Sequence, residues 1–142
     1  MPHLEFDRQV TYTPEQMFDL VADLGAYPDF VPNCQSMHIV GDEPVCEARM
    51  SVRFGPFFEA YTSRVTLDRK RMEISAVAVD GPFSHLNSIW AFSQSAAGTN
   101  VHFDVDFAFA NKLLAIAADP AFAAKQKEIV NAFISEAKRR YG

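Results

Sequence analysis

The sequence is poor in the residues that build metal centres and disulfide frameworks. Its 142 residues include 2 cysteines and 4 histidines. Cys34 and Cys46 form no C-x-x-C motif, and two scattered cysteines are typical of a reducing compartment. Because metal-binding side chains do not stand at ligand spacing with further partners, we expect no metal site and no required cofactor.

Long apolar runs and an excess of positive charge are also missing. No stretch approaches the ~20 apolar residues of a transmembrane helix, and the N-terminus lacks the apolar segment of a signal peptide. The 13 Lys and Arg residues against 18 Asp and Glu give a net charge of −5. Broad contact with DNA or RNA is therefore disfavoured. We expect a cytoplasmic protein that does not bind DNA.

Sequence signatures of catalysis and of phosphate binding are absent as well. There is no G-x-G-x-x-G, no P-loop and no G-x-S-x-G motif, and the scattered glycines are typical of turns. We therefore predict no catalytic residue and expect that the protein is not an enzyme.

What the chain has in abundance is phenylalanine, with 13 residues in a sequence that is 49% hydrophobic. By the usual size prior, residues 1–142 form one domain that buries about two-thirds of its unfolded surface. An aromatic-rich interior is typical either of a solid core or of the wall of a ligand cavity. Composition leaves both open.

Apolar periodicity predicts an α+β protein with the element order β-α-α-β6-α. A first strand carries Leu4, Phe6 and Val10, and Thr13 and Pro14 then start a helix. Residues 27–32 form a short turn or a single helical turn. Six strands with short links follow, which predicts a seven-stranded antiparallel sheet. Such a sheet curves because strands twist.

A long amphipathic helix closes the chain. Asp119 as N-cap and Pro120 at the first helical position predict a start there, and the pattern runs to Tyr141, roughly 33 Å. Gln126 lies near the centre of the apolar stripe, where a polar group needs a partner. We expect the curved sheet to wrap around this helix.

A curved sheet closed by one helix encloses either a solid core or a pocket. Four polar residues are candidates for the few placed polar groups of an apolar pocket: Tyr61, Ser63, Ser88 and Gln126. Each is equally explained as a core polar residue with a satisfied hydrogen bond.

At this point the residues show a family resemblance over essentially the whole chain. The sequence resembles the coenzyme-Q-binding family of the START-like, or polyketide cyclase/dehydrase-like, superfamily. The matching stretches are Tyr27 to Cys34, Asp80 to Leu86 with Trp90 and Phe92, Val105 to Leu114, and Val130 to Phe133 with Ala137, Tyr141 and Gly142. Two positions depart from the family pattern: Asn33 stands where Trp is usual, and Lys112 stands where Pro is usual, which extends the last helix backwards.

The resemblance implies a helix-grip fold with a tunnel between sheet and helix. It implies binding of ubiquinone or a related isoprenoid lipid by a chaperone that supports respiratory electron transport, in transient contact with a membrane surface and peripheral to the inner membrane. From alternation and the helix stripe we assign the ligand-binding residues as Phe83, Leu86, Trp90, Phe107, Phe109, Gln126, Val130, Phe133 and Tyr61. The predicted tunnel lip consists of Tyr27, Phe30, Val31, Leu113 and Leu114, together with Ile116.

Two other functions remain open at this stage. Some bacterial relatives are described as toxins that block association of ribosomal subunits, and a basic patch of Arg49, Arg53 and Arg64 forms if these residues share a face. A polyketide cyclase or dehydrase needs an acid or base in the pocket. His85 is the nearby candidate, although its alternation relative to Leu86 points it outward.

Overall fold

The computed structural model describes residues 3–54 and 57–142. Seven strands, two helices of several turns, one short helix and one 3-10 turn succeed one another in the predicted order. The elements are β1 His3–Val10, α1 Pro14–Ala22, a 3-10 turn Leu24–Ala26, α2 Tyr27–Phe30, β2 Cys34–Asp42, β3 Val45–Phe54, β4 Phe57–Asp68, β5 Glu73–Ala78, β6 Phe83–Gln94, β7 Thr99–Phe109 and α3 Lys112–Tyr141.

The strands form one antiparallel seven-stranded sheet in the order β1-β7-β6-β5-β4-β3-β2. Strands β2 to β6 each pair with the next strand along the chain, and β1 pairs with β7, with His3 opposite Asp106. On β7 the buried side chains alternate strictly with half-buried ones. The concave face therefore carries the core, as the two-residue period predicts, and α3 lies against it in a helix-grip arrangement.

A register shift near the start of β6 interrupts the simple alternation of inward and outward side chains along that strand. Phe83 pairs with Phe109 and His85 pairs with Ala108, so one extra residue is inserted between them. The extra residue turns Phe83 to the same face as Leu86, although the two differ in parity. His85 lies on the opposite side, where its Nε2 is 3.4 Å from Oδ1 of Asp106.

The start of α1 follows the sequence signals. The Thr13 hydroxyl accepts a hydrogen bond from the Gln16 backbone N–H, and the Gln16 side chain accepts from the Thr13 N–H. This reciprocal capping box, with Pro14 at the first helical position, satisfies donors that the helix itself leaves unpaired.

The predicted start of the last helix at Asp119 is wrong. α3 begins at Lys112, where the Asn111 side-chain oxygen accepts from the backbone N–H groups of Leu113 and Leu114. Pro120 lies inside the helix and leaves the carbonyl of Ile116 without its helical donor. Both of these residues are exposed, so water can supply that donor. The helix has 30 residues, about 45 Å.

The C-terminal half of α3 is fixed to α1 and α2 by contacts of three kinds. The Phe133 ring lies 5.1 Å from the rings of both Tyr27 and Phe30, in edge-to-face geometry. Arg140 donates to Asp23 at 3.1 Å, and the Tyr141 hydroxyl donates to a backbone carbonyl of α1 at 3.1 Å. This half of the helix therefore has a defined position over the sheet.

Within the described ranges, no helix combines the length and the apolar character needed to cross a bilayer.

Candidate ligand-binding cavity

An apolar cavity of about 150 Å³ lies between the concave face of the sheet and α3. Strands β2 to β7 contribute to its floor, and Phe122, Gln126, Ile129 and Phe133 of α3 form its roof. The cavity exists because α3 packs against β7 and β1 at one side of the sheet. Above the middle strands, space remains.

Small side chains on the middle strands create that space. Ala48 on β3 pairs with Ser63 on β4, and Ala76 on β5 pairs with Ser88 on β6. All four line the cavity. Larger aliphatic residues at these positions would reach towards the helix and fill the interior to the usual packing density.

An aromatic cluster closes one end of the cavity. Phe83 lies at its centre, with its ring centroid 5.3 Å from that of Tyr61, 4.8 Å from that of Phe109 and 5.4 Å from that of Phe122. The Phe107 ring is a further 4.6 Å from that of Phe122. These rings pack solidly, so the cavity stops at this cluster.

Besides Asn33 and Lys125, four polar side chains face a largely apolar lining. Gln126 is buried, with 5% of its surface exposed, and its Nε2 donates to the Phe122 carbonyl at 3.2 Å. The Tyr61 hydroxyl donates weakly to Sδ of Met50 at 3.7 Å. Among the described residues, the hydroxyls of Ser63 and Ser88 have no hydrogen-bond partner. The cavity therefore offers polar groups that are free to pair with a ligand.

Tyr61 is held in place by the turn between β5 and β6. Gly81 has φ +103°, and a Cβ at this position would lie 2.5 Å from the Cβ of Tyr61. Only glycine allows the turn to approach so closely. Burial raises the pKa of Tyr61 to about 12, so the phenol is neutral at physiological pH and acts as a hydrogen-bond donor or acceptor.

Several lining residues keep partial exposure. Five of them lie outside the middle of the sheet, after α2, at the end of β3 and in the middle of α3, and we take these as the mouth of the cavity: Pro32, Asn33, Val52, Lys125 and Ile129. Asn33 has φ 68°, and its side-chain amide donates to the Arg53 carbonyl. Asn is tolerated in this left-handed conformation far better than a bulky residue, which gives the departure from the family's Trp a local reason.

The structure brings five of the nine predicted ligand-binding residues to the cavity lining: Tyr61, Leu86, Trp90, Gln126 and Phe133. The other four do not line it. Phe83, Phe107 and Phe109 belong to the aromatic end cluster, and Val130 is 1% exposed in the packed core. Ile129, its neighbour on α3, lines the cavity instead.

The predicted lip is not one continuous surface. Tyr27 and Val31 are buried and line the cavity from inside, and Phe30 packs on Phe133. Leu113 lies 20 residues before Phe133 on the same helix, about 30 Å away along its axis. Leu113 and Ile116 are 78% and 77% exposed, whereas Leu114 packs partly against the core.

Sequence reasoning missed the alanines of the cavity floor. Ala48 and Ala76 occupy inward positions of strands in which the neighbouring inward residues are larger, such as Met50 and Ile74. That contrast in size was a usable signal in the sequence. Its meaning depends on the strand register, which brings these alanines next to Ser63 and Ser88.

The convex face carries charged residues and a weak candidate for a cation. His3, Glu5 and Asp104 place one ligand atom each within 4.8 Å of one another, and His3 Nε2 is already paired with Asp104 at 2.7 Å. Asp104 raises the pKa of His3. The group is largely exposed, and an ion pair between His3 and Asp104 accounts for the geometry.

Arg49, Arg53 and Arg64 do share the convex face, as the register of β3 and β4 places them. Acidic residues lie among them: Arg49 is 3.5 Å from Asp80, and Arg64 is 3.6 Å from Glu47. The patch is therefore partly neutralised.

The fold and its interior cavity define a START-like, helix-grip protein. The chain belongs to the family described as polyketide cyclase/dehydrase and lipid transport, which matches residues 10–134. The resemblance inferred from the sequence motifs is thereby confirmed at the level of the superfamily.

Relatives with two different descriptions match most of the chain. The ribosome association toxin RatA of Escherichia coli K12 is 33% identical over 99% of this chain and 90% of its own length. A mitochondrial coenzyme Q-binding protein, COQ10 homolog B of Xenopus laevis, is 34% identical over 92% of this chain and 56% of its own length.

A solved structure supports the fold independently of sequence. A START superfamily protein from Mycobacterium smegmatis superimposes with a TM-score of 0.83 at 14% identity, covering 96% of this chain and 97% of the other. At this identity the similarity concerns the fold alone.

Proposed function

We propose that this protein binds ubiquinone or a related isoprenoid lipid in the cavity and acts as a lipid chaperone, without transforming the ligand. The observation that carries the proposal is the largely apolar cavity of about 150 Å³ with a few polar side chains in its lining, among them Tyr61, Ser63 and Gln126. A quinone ring presents two apolar faces and a few polar oxygens, so it matches such a lining. The coenzyme Q-binding relative supports the choice of quinone.

The cavity volume limits how much of the ligand is enclosed. A cavity of about 150 Å³ in an engineered protein holds one benzene molecule. The ring of a quinone is therefore expected inside, and most of a long isoprenoid tail is expected to leave through the mouth. Each tail CH₂ that stays buried adds roughly 0.8 kcal/mol.

Two exposed apolar residues suit the transient membrane contact that lipid exchange requires. Leu113 and Ile116 stand one helical turn apart near the start of α3 and are largely exposed. Apolar side chains in this position can enter the surface of a bilayer. Contact with a membrane through this turn is part of the proposal, as is peripheral location at the inner membrane.

The test is to identify and then titrate the ligand. Mass spectrometry of an organic extract of the purified protein is expected to detect an isoprenoid quinone, and decylubiquinone is expected to quench the fluorescence of Trp90, the single tryptophan, saturably. Short and long tails should differ little beyond the first isoprene units. Absence of quinone from the extract together with no saturable quenching would contradict the proposal.

A second candidate function is binding of a ribosomal subunit that blocks subunit association. The observation in its favour is the similarity to RatA over nearly the full length of both chains. Arg49, Arg53 and Arg64 are the convex-face residues that could contact RNA phosphates. Overproduction should then shift ribosomes towards free subunits in a sucrose gradient, and the variant with Glu at all three positions should not. An unchanged profile with the wild-type protein would rule this function out.

A cyclase or dehydrase activity is the weakest candidate. Tyr61 is a poor base because its raised pKa keeps it protonated, and His85 lies on the convex side next to Asp106. We propose that the protein is not an enzyme. Turnover of a poly-β-ketone substrate by the purified protein would contradict this.

A further inference from the structure

One arginine of the convex face has no acidic partner. Arg49 and Arg64 each lie next to a carboxylate, whereas Arg53 forms no ion pair within the described part of the chain. Its guanidinium carbon lies 5.3 Å from the ring centroid of Phe58, a residue that is 54% exposed. Where β3 ends and β4 begins, the protein therefore presents an unneutralised cation stacked on an exposed apolar ring. We call Arg53 and Phe58 the strand patch.

The start of α3 carries the same combination of groups. Leu113 and Ile116 are 78% and 77% exposed. Lys112, directly before them, is exposed, and among the residues that the structure describes no carboxylate pairs with it. We call Lys112, Leu113 and Ile116 the helix patch. Each of the two patches thus joins exposed apolar surface to a cation that is not neutralised.

The strand register places the two patches at the same end of the sheet. Phe83, the first residue of β6, pairs with Phe109, the last residue of β7, and α3 begins three residues later. A Cβ on Gly81, just before β6, would lie 3.3 Å from the carbonyl oxygen of Ala60 on β4. Phe58 stands two residues beyond this level, about 7 Å further out. Three strand spacings of about 4.8 Å separate β4 from β7.

The mouth of the cavity opens at this end as well. Asn33, a mouth residue, is joined to Arg53 by two hydrogen bonds. The Arg53 N–H donates to the Asn33 carbonyl at 2.9 Å, and the Asn33 side-chain amide donates to the Arg53 carbonyl. Val52, next to Arg53 in the chain, lines the cavity from the concave face. The Arg53 side chain therefore lies just outside the opening.

The acidic residues near the strand patch do not cancel its charge. The carboxylate of Asp80 accepts from the Thr62 backbone N–H at 2.6 Å and lies 3.5 Å from Arg49. Glu59 pairs with Val52, a residue of the cavity lining, so it belongs to the face opposite Phe58. The positive charge of the strand patch is thus available to a partner.

Exposed apolar side chains beside Lys or Arg are the combination that binds the headgroup region of an anionic bilayer. We infer that this end of the sheet docks on an anionic phospholipid bilayer, with the apolar side chains of both patches inserted and their cations on lipid phosphates. The cavity mouth then faces the bilayer, so a ligand passes between protein and lipid without crossing bulk water.

The inference rests on the membrane contact in the proposed function, to which it adds the strand patch, the lipid charge and the orientation. It does not depend on the identity of the ligand. The net charge of −5 repels an anionic surface from most directions. Binding is therefore expected to be reversible and confined to the end that carries the two patches.

Vesicle flotation tests the inference directly. The purified protein is mixed with vesicles of phosphatidylcholine alone, or with vesicles in which about a third of the lipid is phosphatidylglycerol, an anionic phospholipid. Binding to the anionic vesicles should be about tenfold tighter, because each cation near an anionic surface contributes roughly fivefold. The difference should disappear as NaCl is raised from about 0.1 M to about 1 M, which shortens the screening length from about 10 to about 3 Å.

Single substitutions test the strand patch. Arg53→Gln should weaken binding to anionic vesicles about fivefold and leave binding to neutral vesicles unchanged. Phe58→Ser should weaken binding to anionic vesicles about tenfold, because the ring no longer leaves water. Arg71→Gln and Val40→Ser are the matched controls, since both residues are exposed at the opposite end of the sheet. Both controls should bind as the wild type does.

A fluorescent label reports which face touches the lipid. The natural cysteines, Cys34 and Cys46, are buried. A nitrobenzoxadiazole label on Phe58→Cys should shift its emission to the blue and brighten when anionic vesicles are added. The same label on Val40→Cys should not change. A blue shift at Val40→Cys with none at Phe58→Cys would show that another face docks and would overturn the inference.

The remaining outcomes separate this inference from the proposed functions. Equal binding to both kinds of vesicle, or wild-type binding by both Arg53→Gln and Phe58→Ser, would overturn it. If Arg53→Gln keeps vesicle binding and abolishes the shift towards free ribosomal subunits, Arg53 contacts RNA and the inference is wrong. Saturable quenching of Trp90 by decylubiquinone in solution tests quinone binding alone. Normal quenching without vesicle binding would contradict the docking surface and leave quinone binding intact.

Discussion

Filling the cavity should raise the stability of the folded protein and weaken ligand binding, and Ala76→Leu is the substitution that tests this. Ala76 lies on β5 in the cavity floor, opposite Val65 on β4 and Ser88 on β6. A leucine here extends three more carbon atoms from the sheet towards α3. It occupies the space that the ligand needs.

The magnitude follows from the empty volume. Three carbons buried at roughly 0.8 kcal/mol each give a gain of about 2 kcal/mol in the free energy of unfolding, if the leucine enters in a relaxed rotamer. The cavity of about 150 Å³ has room for a side chain of this size. Overpacking would instead cost roughly 1–3 kcal/mol, which is typical of added carbon atoms in a tightly packed core. We expect a net gain, together with at least a tenfold loss of affinity for decylubiquinone.

Two measurements on the same preparation check the prediction. Urea unfolding followed by circular dichroism gives the stability, and quenching of Trp90 gives the affinity. Ser75→Leu is the matched control, because its side chain lies on the opposite face of the same strand. This control should bind ligand as the wild type does. A variant Ala76→Leu that is less stable and binds normally would refute the reasoning that the space over Ala76 is an empty binding site.

Two further predictions concern the long helix. Arg139 and Arg140 donate to Glu136 and hold its pKa at about 2, below the ordinary value of 4.5. The stability that comes from this lowered pKa is fully present above pH 4.5 and is lost as the pH falls towards 2. Urea unfolding from pH 7 to pH 3 should therefore show a flatter pH profile for Glu136→Gln than for the wild type, and parallel profiles would contradict the assignment. Asn111→Ala should lower the free energy of unfolding by about 1 kcal/mol, because the N-cap accepts from two backbone donors; Asn131→Ala is the control, and equal effects of the two substitutions would exclude a capping role.

Strand alternation and hairpin-length links were sufficient to predict the fold. A two-residue period places the inward row of β7 on one face whatever its partner is, so each strand could be assigned locally. The class, the element order and the packing of a curved sheet around the last helix followed from these patterns, and the helix-grip fold was implied by the family resemblance.

The start of α3 was misplaced because Asp119-Pro120 is a strong local signal and the cap at Asn111 was not recognised. Asp119-Pro120 is a common way to begin a helix, and Asn111 is an equally good cap. The packing of residues that precede Asp119 determines where the helix starts: Ala118 is fully buried, and Leu114 and Ala115 pack against the core. Tertiary packing of this kind is not visible in the local pattern.

The site was predictable only in part, for reasons of register. Gln126 stood out as a polar residue in an apolar stripe, and it does line the cavity. Val130 and Ile129 are one position apart, and the stripe alone does not tell which faces the cavity and which faces solid core. The inward position of Phe83 depends on an inserted residue in β6 that alternation cannot reveal.

The abundance of phenylalanine left a choice between solid core and cavity wall, and the answer differs across the sheet. Phe107 and Phe109 on β7 pack with Phe122 of α3 and fill one side of the interior. The open side lies over β3 to β6, where Ala48 and Ala76 stand inward. The large rings keep α3 at a distance from the sheet that the small side chains of Ala48 and Ala76 do not span. The cavity is thus a consequence of uneven side-chain size on one curved sheet, and its position depends on the alanines more than on the aromatic residues.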